Sequence, residues 1–170
     1  MKNAKRFLMT GMLLLLVSGC RFSLYPSNPL PEFEQDNSPT LAGIDTDGNG
    51  IRDDIERYLG TIDLNDSQQK ALNRLAVSLQ VSLETDLETG PERSLDSQPT
   101  LQKNHQDYVS HLYCFVESMQ DVEKAGSIVD SLILYTMNTP QRVEKYKQYQ
   151  ATIINGVSSS YDEIACQNKY

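Results

Sequence analysis

The chain has 170 residues, with 23 acids against 15 bases, a formal charge of −8, three Cys and no Trp. An acidic excess of this size is repelled by phosphate backbones and anionic lipid surfaces, which argues against nucleic acid as a partner. Setting aside the N-terminal segments described next, about 130 residues remain, enough for one core and too few for two.

Residues 1 to 19 begin with the charged Lys2, Lys5 and Arg6. A short apolar run from Phe7 to Val17 follows, and the segment closes on the small residues Ser18 and Gly19. This is the layout of a secretory signal peptide, too short for a bilayer span of about 20 apolar residues. The stretch Leu16-Val17-Ser18-Gly19-Cys20 resembles the lipobox of bacterial lipoproteins. The resemblance implies cleavage before Cys20, lipidation of its sulfur and acylation of its new amine. More than one acyl chain then anchors the protein, which a single chain does only marginally. Arg21 stands where an Asp would favour inner-membrane retention, so the resemblance implies a lipid anchor in the outer membrane, with the chain in the periplasm. Loss of residues 1 to 19 leaves 12 bases against 23 acids and a charge near −11.

Residues 20 to 41 contain Pro26, Pro29, Pro31 and Pro39 and keep neither a helical nor an alternating period. They read as an extended tether behind the lipidated Cys20, with the folded domain spanning residues 42 to 170.

Residues 45 to 56 read DTDGNGIRDDIE. Calcium takes six to eight oxygens from a flexible loop. Oxygen-bearing side chains fall at Asp45, Asp47, Asn49, Asp53 and Glu56, and Ile51 offers its backbone carbonyl. Gly50 stands where the loop must turn sharply. The stretch resembles the calcium loops of EF-hands and thrombospondin type 3 repeats, which implies a Ca²⁺ ligand set of Asp45, Asp47, Asn49, Ile51, Asp53 and Glu56. Two departures separate it from a paired EF-hand: Arg52 occupies the position of the apolar residue that meets a twin loop, and no helix leads into the loop. The resemblance is therefore to a single structural clasp rather than a sensor. A purely structural alternative makes Asp53 a helix N-cap with Glu56 completing a capping box. It leaves Asp45, Asp47 and Asn49 without a reason.

Downstream the pattern is helical. Ile55, Tyr58 and Leu59 predict a short helix stopped by Gly60, with Asp66 or Ser67 capping the next. Leu72, Leu75, Ala76, Leu79 and Leu83 recur at three- and four-residue steps. Gly90 to Pro99 reads as a loop. Tyr108, Leu112, Phe115, Val116 and Met119 form a third stripe, and Ala125, Ile128, Val129, Leu132 and Ile133 a fourth. Thr139 and Pro140 open a fifth helix lined by Val143, Tyr146, Ile153 and Val157. The expected fold is all-α, a small bundle of about five helices. Beyond Cys20 only Cys114 and Cys166 remain, and in an oxidising compartment they read as one disulfide pinning the tail to the third helix. Two free buried thiols are the alternative.

His105 and His111 are six apart and share no helical face, so a metal site with Cys114 competes poorly with the disulfide. Tyr146 and Tyr149 with Lys145 and Lys147 offer a face for peptide or sugar, or else Tyr146 is core and the others half-exposed. No familiar catalytic motif occurs. The expectation is a calcium-binding, lipid-anchored envelope protein, a binding or assembly module with a protein or glycan partner. The other class is a small cell-wall enzyme.

Overall fold

A computed structural model of the chain describes residues 34–87, 99–154 and 166, which contain five helices and no strand. They are α1 (Asp53–Leu59), α2 (Asp66–Glu84), α3 (Pro99–Ser118), α4 (Val122–Thr136) and α5 (Pro140–Ile154). The all-α expectation holds. Among these residues no helix is long and apolar enough to cross a membrane.

The second helix is the axis of the bundle, in contact with each of the other four. Its 3.6-residue periodicity explains why: Leu72, Leu75, Leu79 and Leu83 stack along one stripe and have no exposed surface. Burying one such side chain contributes about 1.5–3 kcal/mol. The cap is Asn65, one residue before Asp66 and two before Ser67, the two expected caps. Asn65 accepts from the Gln68 amide at 3.0 Å, and the Gln68 side chain accepts from the Asn65 amide at 3.1 Å. This reciprocal pair satisfies two otherwise orphaned donors and leaves Asp66 as a first-turn acid.

The stripe of α2 packs most extensively against α3. Gln68, at the start of α2, donates to the Ser118 carbonyl at the end of α3; near the other ends Asn104 donates to Thr85. The two helices are therefore antiparallel. From the third stripe Phe115 and Met119 are buried, while Tyr108, Leu112 and Val116 pack partly exposed against the same core. All five residues of the fourth stripe join it. Tyr58 of α1 meets Tyr135 of α4 with ring centroids 4.5 Å apart. Leu101, Tyr149 and Ile153 form a smaller cluster between α3 and α5.

Gly60 caps α1, and the Thr139 hydroxyl accepts from the Arg142 amide at the start of α5. The disulfide is present: Cys114 on α3 and Cys166 have Cα atoms 5.3 Å apart. The expected loop through Gly90, the Val157 position and the tail from Ser158 lie outside the described residues, apart from Cys166. So do the signal peptide, Cys20 and the tether as far as residue 33.

One boundary moves. Residues 36 to 41, expected in the tether, are bonded to the bundle. Arg142, wholly buried on α5, donates to the backbone carbonyls of Asp36, Thr40 and Leu41 at 2.5, 3.0 and 3.2 Å. Gln80 of α2 donates to the Ala42 carbonyl, and Arg57 of α1 to the Glu34 carbonyl. Residues 34 to 44 form a strap laid across α1, α2 and α5. Proline excluded regular structure here but did not prevent docking, because the carbonyls of an extended chain remain free to accept.

Candidate metal centre

The strap runs directly into the acidic loop, which is folded around Asp45. One carboxylate oxygen of Asp45 accepts from the amides of Gly48 and Asn49, at 2.8 and 3.3 Å. The other accepts from the Gly50 amide at 2.9 Å. Reaching around one carboxylate this way requires left-handed backbone, and Gly48 and Gly50 supply it with φ of 71° and 85°.

The Asn49 side chain is the second hub. Its Nδ2 donates to Asp47 Oδ2 at 3.1 Å and to Glu56 Oε1 at 2.5 Å, while its Oδ1 accepts from the Ile51 amide at 2.8 Å. Asp47, Asn49 and Glu56 are thus brought together although seven residues separate the last two. Ile51 buries its side chain in the core and leaves its carbonyl as the candidate donor atom. Asp53 stands apart. Both its oxygens are engaged by Thr46, whose amide donates at 2.8 Å and hydroxyl at 2.6 Å. The hydroxyl bond first, then the amide bond, hold the Asp53 carboxyl below its ordinary range. Among the described residues no three acid, His or Cys side chains already converge as a metal cluster. The loop carboxylates instead accept from the loop's own amides, the Asn49 side chain and the Thr46 hydroxyl.

The capping explanation of the loop fails. The N-cap of α1 is Arg52, with no side-chain cap bond. The Asp53 amide donates to the Ile44 carbonyl at 2.8 Å, and Glu56 turns to Asn49 rather than back to the helix start. Neither residue does what a capping box would ask of it.

Arg52 has a role that the sequence did not disclose. It is completely buried. Its Nε and Nη2 clasp the two oxygens of Asp54 at 2.5 and 3.0 Å. Nη2 and Nη1 also donate to the carbonyls of Tyr135 and Thr136 at 2.9 and 3.2 Å. Those carbonyls end α4, where the helix lacks its own donors and carries partial negative charge. So the position that meets a twin loop in an EF-hand here meets the end of a helix in the same bundle.

A second guanidinium lies beside the first. Besides the strap carbonyls, Arg142 approaches Asp36 Oδ2 at 3.6 Å. The Asp36 amide donates to Asp54 Oδ2 at 2.8 Å, joining the two pairs. Burial, followed by the charge of Arg52, pulls the Arg142 pKa down, while Asp36 and Asp54 pull it back. Burial alone would raise the Asp36 carboxyl; bonds from Ser38 and Ile44 and the charge of Arg142 outweigh it and hold it below its usual value. Gly43 covers both arginines. A Cβ there would lie 2.2 Å from Arg52 Cδ and 2.9 Å from Arg142 Nη2, and its φ is +76°.

A polar cleft of about 230 Å³ opens among Glu34, Asp36, Asp53, Asp54 and Arg57. Three of its carboxylates are already committed: Asp36 and Asp54 to the arginines, Asp53 to Thr46. The imagined site of His105, His111 and Cys114 is not assembled, since Cys114 is in the disulfide and His111 Nδ1 is bonded to Ser78 Oγ at 2.7 Å. The tyrosine face is also revised. Tyr149 is the buried ring, Tyr146 is partly exposed, and the two stack with centroids 6.5 Å apart.

No family model, no curated protein and no solved structure matches this chain.

Proposed function

We propose that the protein is a lipid-anchored component of the bacterial cell envelope whose acidic loop binds one calcium ion as a structural clasp. In this reading residues 1 to 19 are removed, Cys20 carries the lipid and the bundle serves as a binding or assembly module in the periplasm. The observation that carries the calcium reading is the meeting of Asp47 and Glu56 on the Asn49 amide. Two carboxylates converge on one residue, where the side-chain and backbone N–H groups of Asn49 offset their charge. Rotating the amide presents Asn49 Oδ1 to the same point, an all-oxygen arrangement that suits a hard cation. Asp45, Asp47, Asn49 and Glu56 with the Ile51 carbonyl would hold the ion. Asp53, held by Thr46, suits the loop position that often ligates through water. When bound, calcium supplies charge neutralisation in a loop rich in carboxylates.

A single loop of this kind has an expected Kd of about 10⁻⁴ to 10⁻³ M. At a calcium concentration of about ten times Kd, the folded state gains about 1.4 kcal/mol. Thermal unfolding in calcium and in chelator measures this, with Asp45→Ala as the control. An unchanged Tm at several times that Kd, or an equal shift in Asp45→Ala, would refute the reading. The anchor is tested separately: Cys20→Ser should move the protein from the membrane fraction to the soluble one.

A further inference from the structure

The geometry points to the strap, residues 34 to 44, being a latch that the calcium loop holds shut, so that loss of the ion undocks the strap while the helices stay folded. The inference rests on the calcium reading above. It comes from how the strap is fastened.

The docking is almost wholly polar. Leu41 alone of the strap packs against the apolar core, and it does so partly exposed. The remaining ties to the bundle are polar and include Arg142 to three carbonyls and, as an ion pair, to Asp36, Asn138 to the Asp36 carbonyl, the Asp36 amide to Asp54, Arg57 to the Glu34 carbonyl and Gln80 to the Ala42 carbonyl. A segment with little buried apolar surface sits at the low end of local stability and opens without global unfolding.

The loop closes over the strap's C-terminal end. The Ile44 carbonyl accepts from the Asp53 amide at 2.8 Å, pinning the start of the loop to its far side. Ile44 is followed at once by Asp45, the hub of the loop, and Arg52 and Asp54 lie between candidate ligands Ile51, Asp53 and Glu56. An ion that draws the two ends of the loop together therefore fixes Ile44, Arg52 and Asp54 relative to each other. Those are the groups on which Asp36 and Gly43 are seated. Without the ion, the ends of the loop are free to separate under the repulsion of its carboxylates.

Release changes two things. The strap forms one wall of an open cleft of about 560 Å³, with Pro39 and Leu41 facing Pro140, Glu144 and Lys145 of α5. Undocking removes that wall. It also adds a strap of eleven residues to the chain that precedes it, roughly 36 Å of extra reach when extended.

Hydrogen exchange on the full chain, in calcium and in chelator, tests the latch. The amides of Asp36, Gly43 and Ile44 should lose protection on the order of tenfold in chelator, while α2 and α3 keep theirs. Glu56→Gln, which retains a partner for Asn49 but loses a charged oxygen, should show the released pattern even in calcium. Coupling is reciprocal. Gly43→Ala, which undocks the strap without removing a donor oxygen, should therefore weaken calcium binding on the order of tenfold by calorimetric titration. Calcium binding with unchanged strap protection, or with unaltered affinity in Gly43→Ala, overturns the latch and leaves the calcium reading standing. Absence of any binding heat and of any exchange difference overturns both.

Discussion

Between α2 and α3 the interior is hydrocarbon, with Leu72, Leu75, Leu79, Leu83 and Phe115 fully enclosed. Where the strap and loop meet the end of α4 and the start of α5, the most deeply buried large side chains are Arg52 and Arg142. The two regions lose water for different reasons. Apolar side chains gain free energy by leaving it, wherever they find neighbours of fitting shape. A guanidinium loses hydration on burial and is stable only if specific oxygens take its place. Hydrocarbon tolerates approximate partners, whereas the arginine junction needs Asp36, Asp54 and five named carbonyls to be present together. The apolar seam therefore supplies stability, and the junction supplies a defined position for the loop.

The largest effect should come from the seam. Leu79→Ala is expected to cost about 3–4 kcal/mol, read as a lower denaturant midpoint of the far-ultraviolet dichroism, with strap protection lost at or before that midpoint. A strap that kept its protection after the helices had melted in this variant would show that it is not the weaker of the two regions.

Asp54→Ala should cost about 3 kcal/mol, since it leaves Arg52 buried without its carboxylate. Replacing both partners in Arg52→Met/Asp54→Leu should recover part of that loss in chemical denaturation. It should not recover the strap, whose Asp36 amide still lacks an acceptor. Full recovery of both would reduce the junction to a packing element like the seam.

The smallest effect is acid sensitivity. The folded-state pKa of Asp36 is lowered, so its contribution is present above the ordinary carboxylate pKa and is lost as pH falls through the folded value. Stability should decline below about pH 4, and Asp36→Asn should flatten that decline. An identical acid limb in both proteins would assign it to other carboxylates.

The same contrast decides what was legible beforehand. Periodicity reports burial for side chains whose chemistry favours it, so the stripes of α2, α3 and α4 were readable residue by residue. Charged residues carry the opposite expectation. Nothing in the order of residues says that Arg52 and Arg142, ninety positions apart, enter the interior side by side. One local sign existed: Gly43, Gly48 and Gly50 crowd into eight residues, marking backbone that approaches something closely. Composition fixed neither the docking of residues 36 to 41 nor the capping by Asn65. Both depend on which donor lies within reach after folding. The candidate ligands were legible because their spacing is local. What Asn49 joins was not.

The bridge between Cys114 and Cys166 spans a sequence separation of 52 that includes the whole of α4 and α5. A protease that cuts once within that stretch, for instance at the turn near Asn138, would not divide the molecule. The two pieces would remain one covalent body, migrating as a single species until a reductant was added, and the severed helices would stay close enough to find their places again. A chain bridged in this way would survive its first nick.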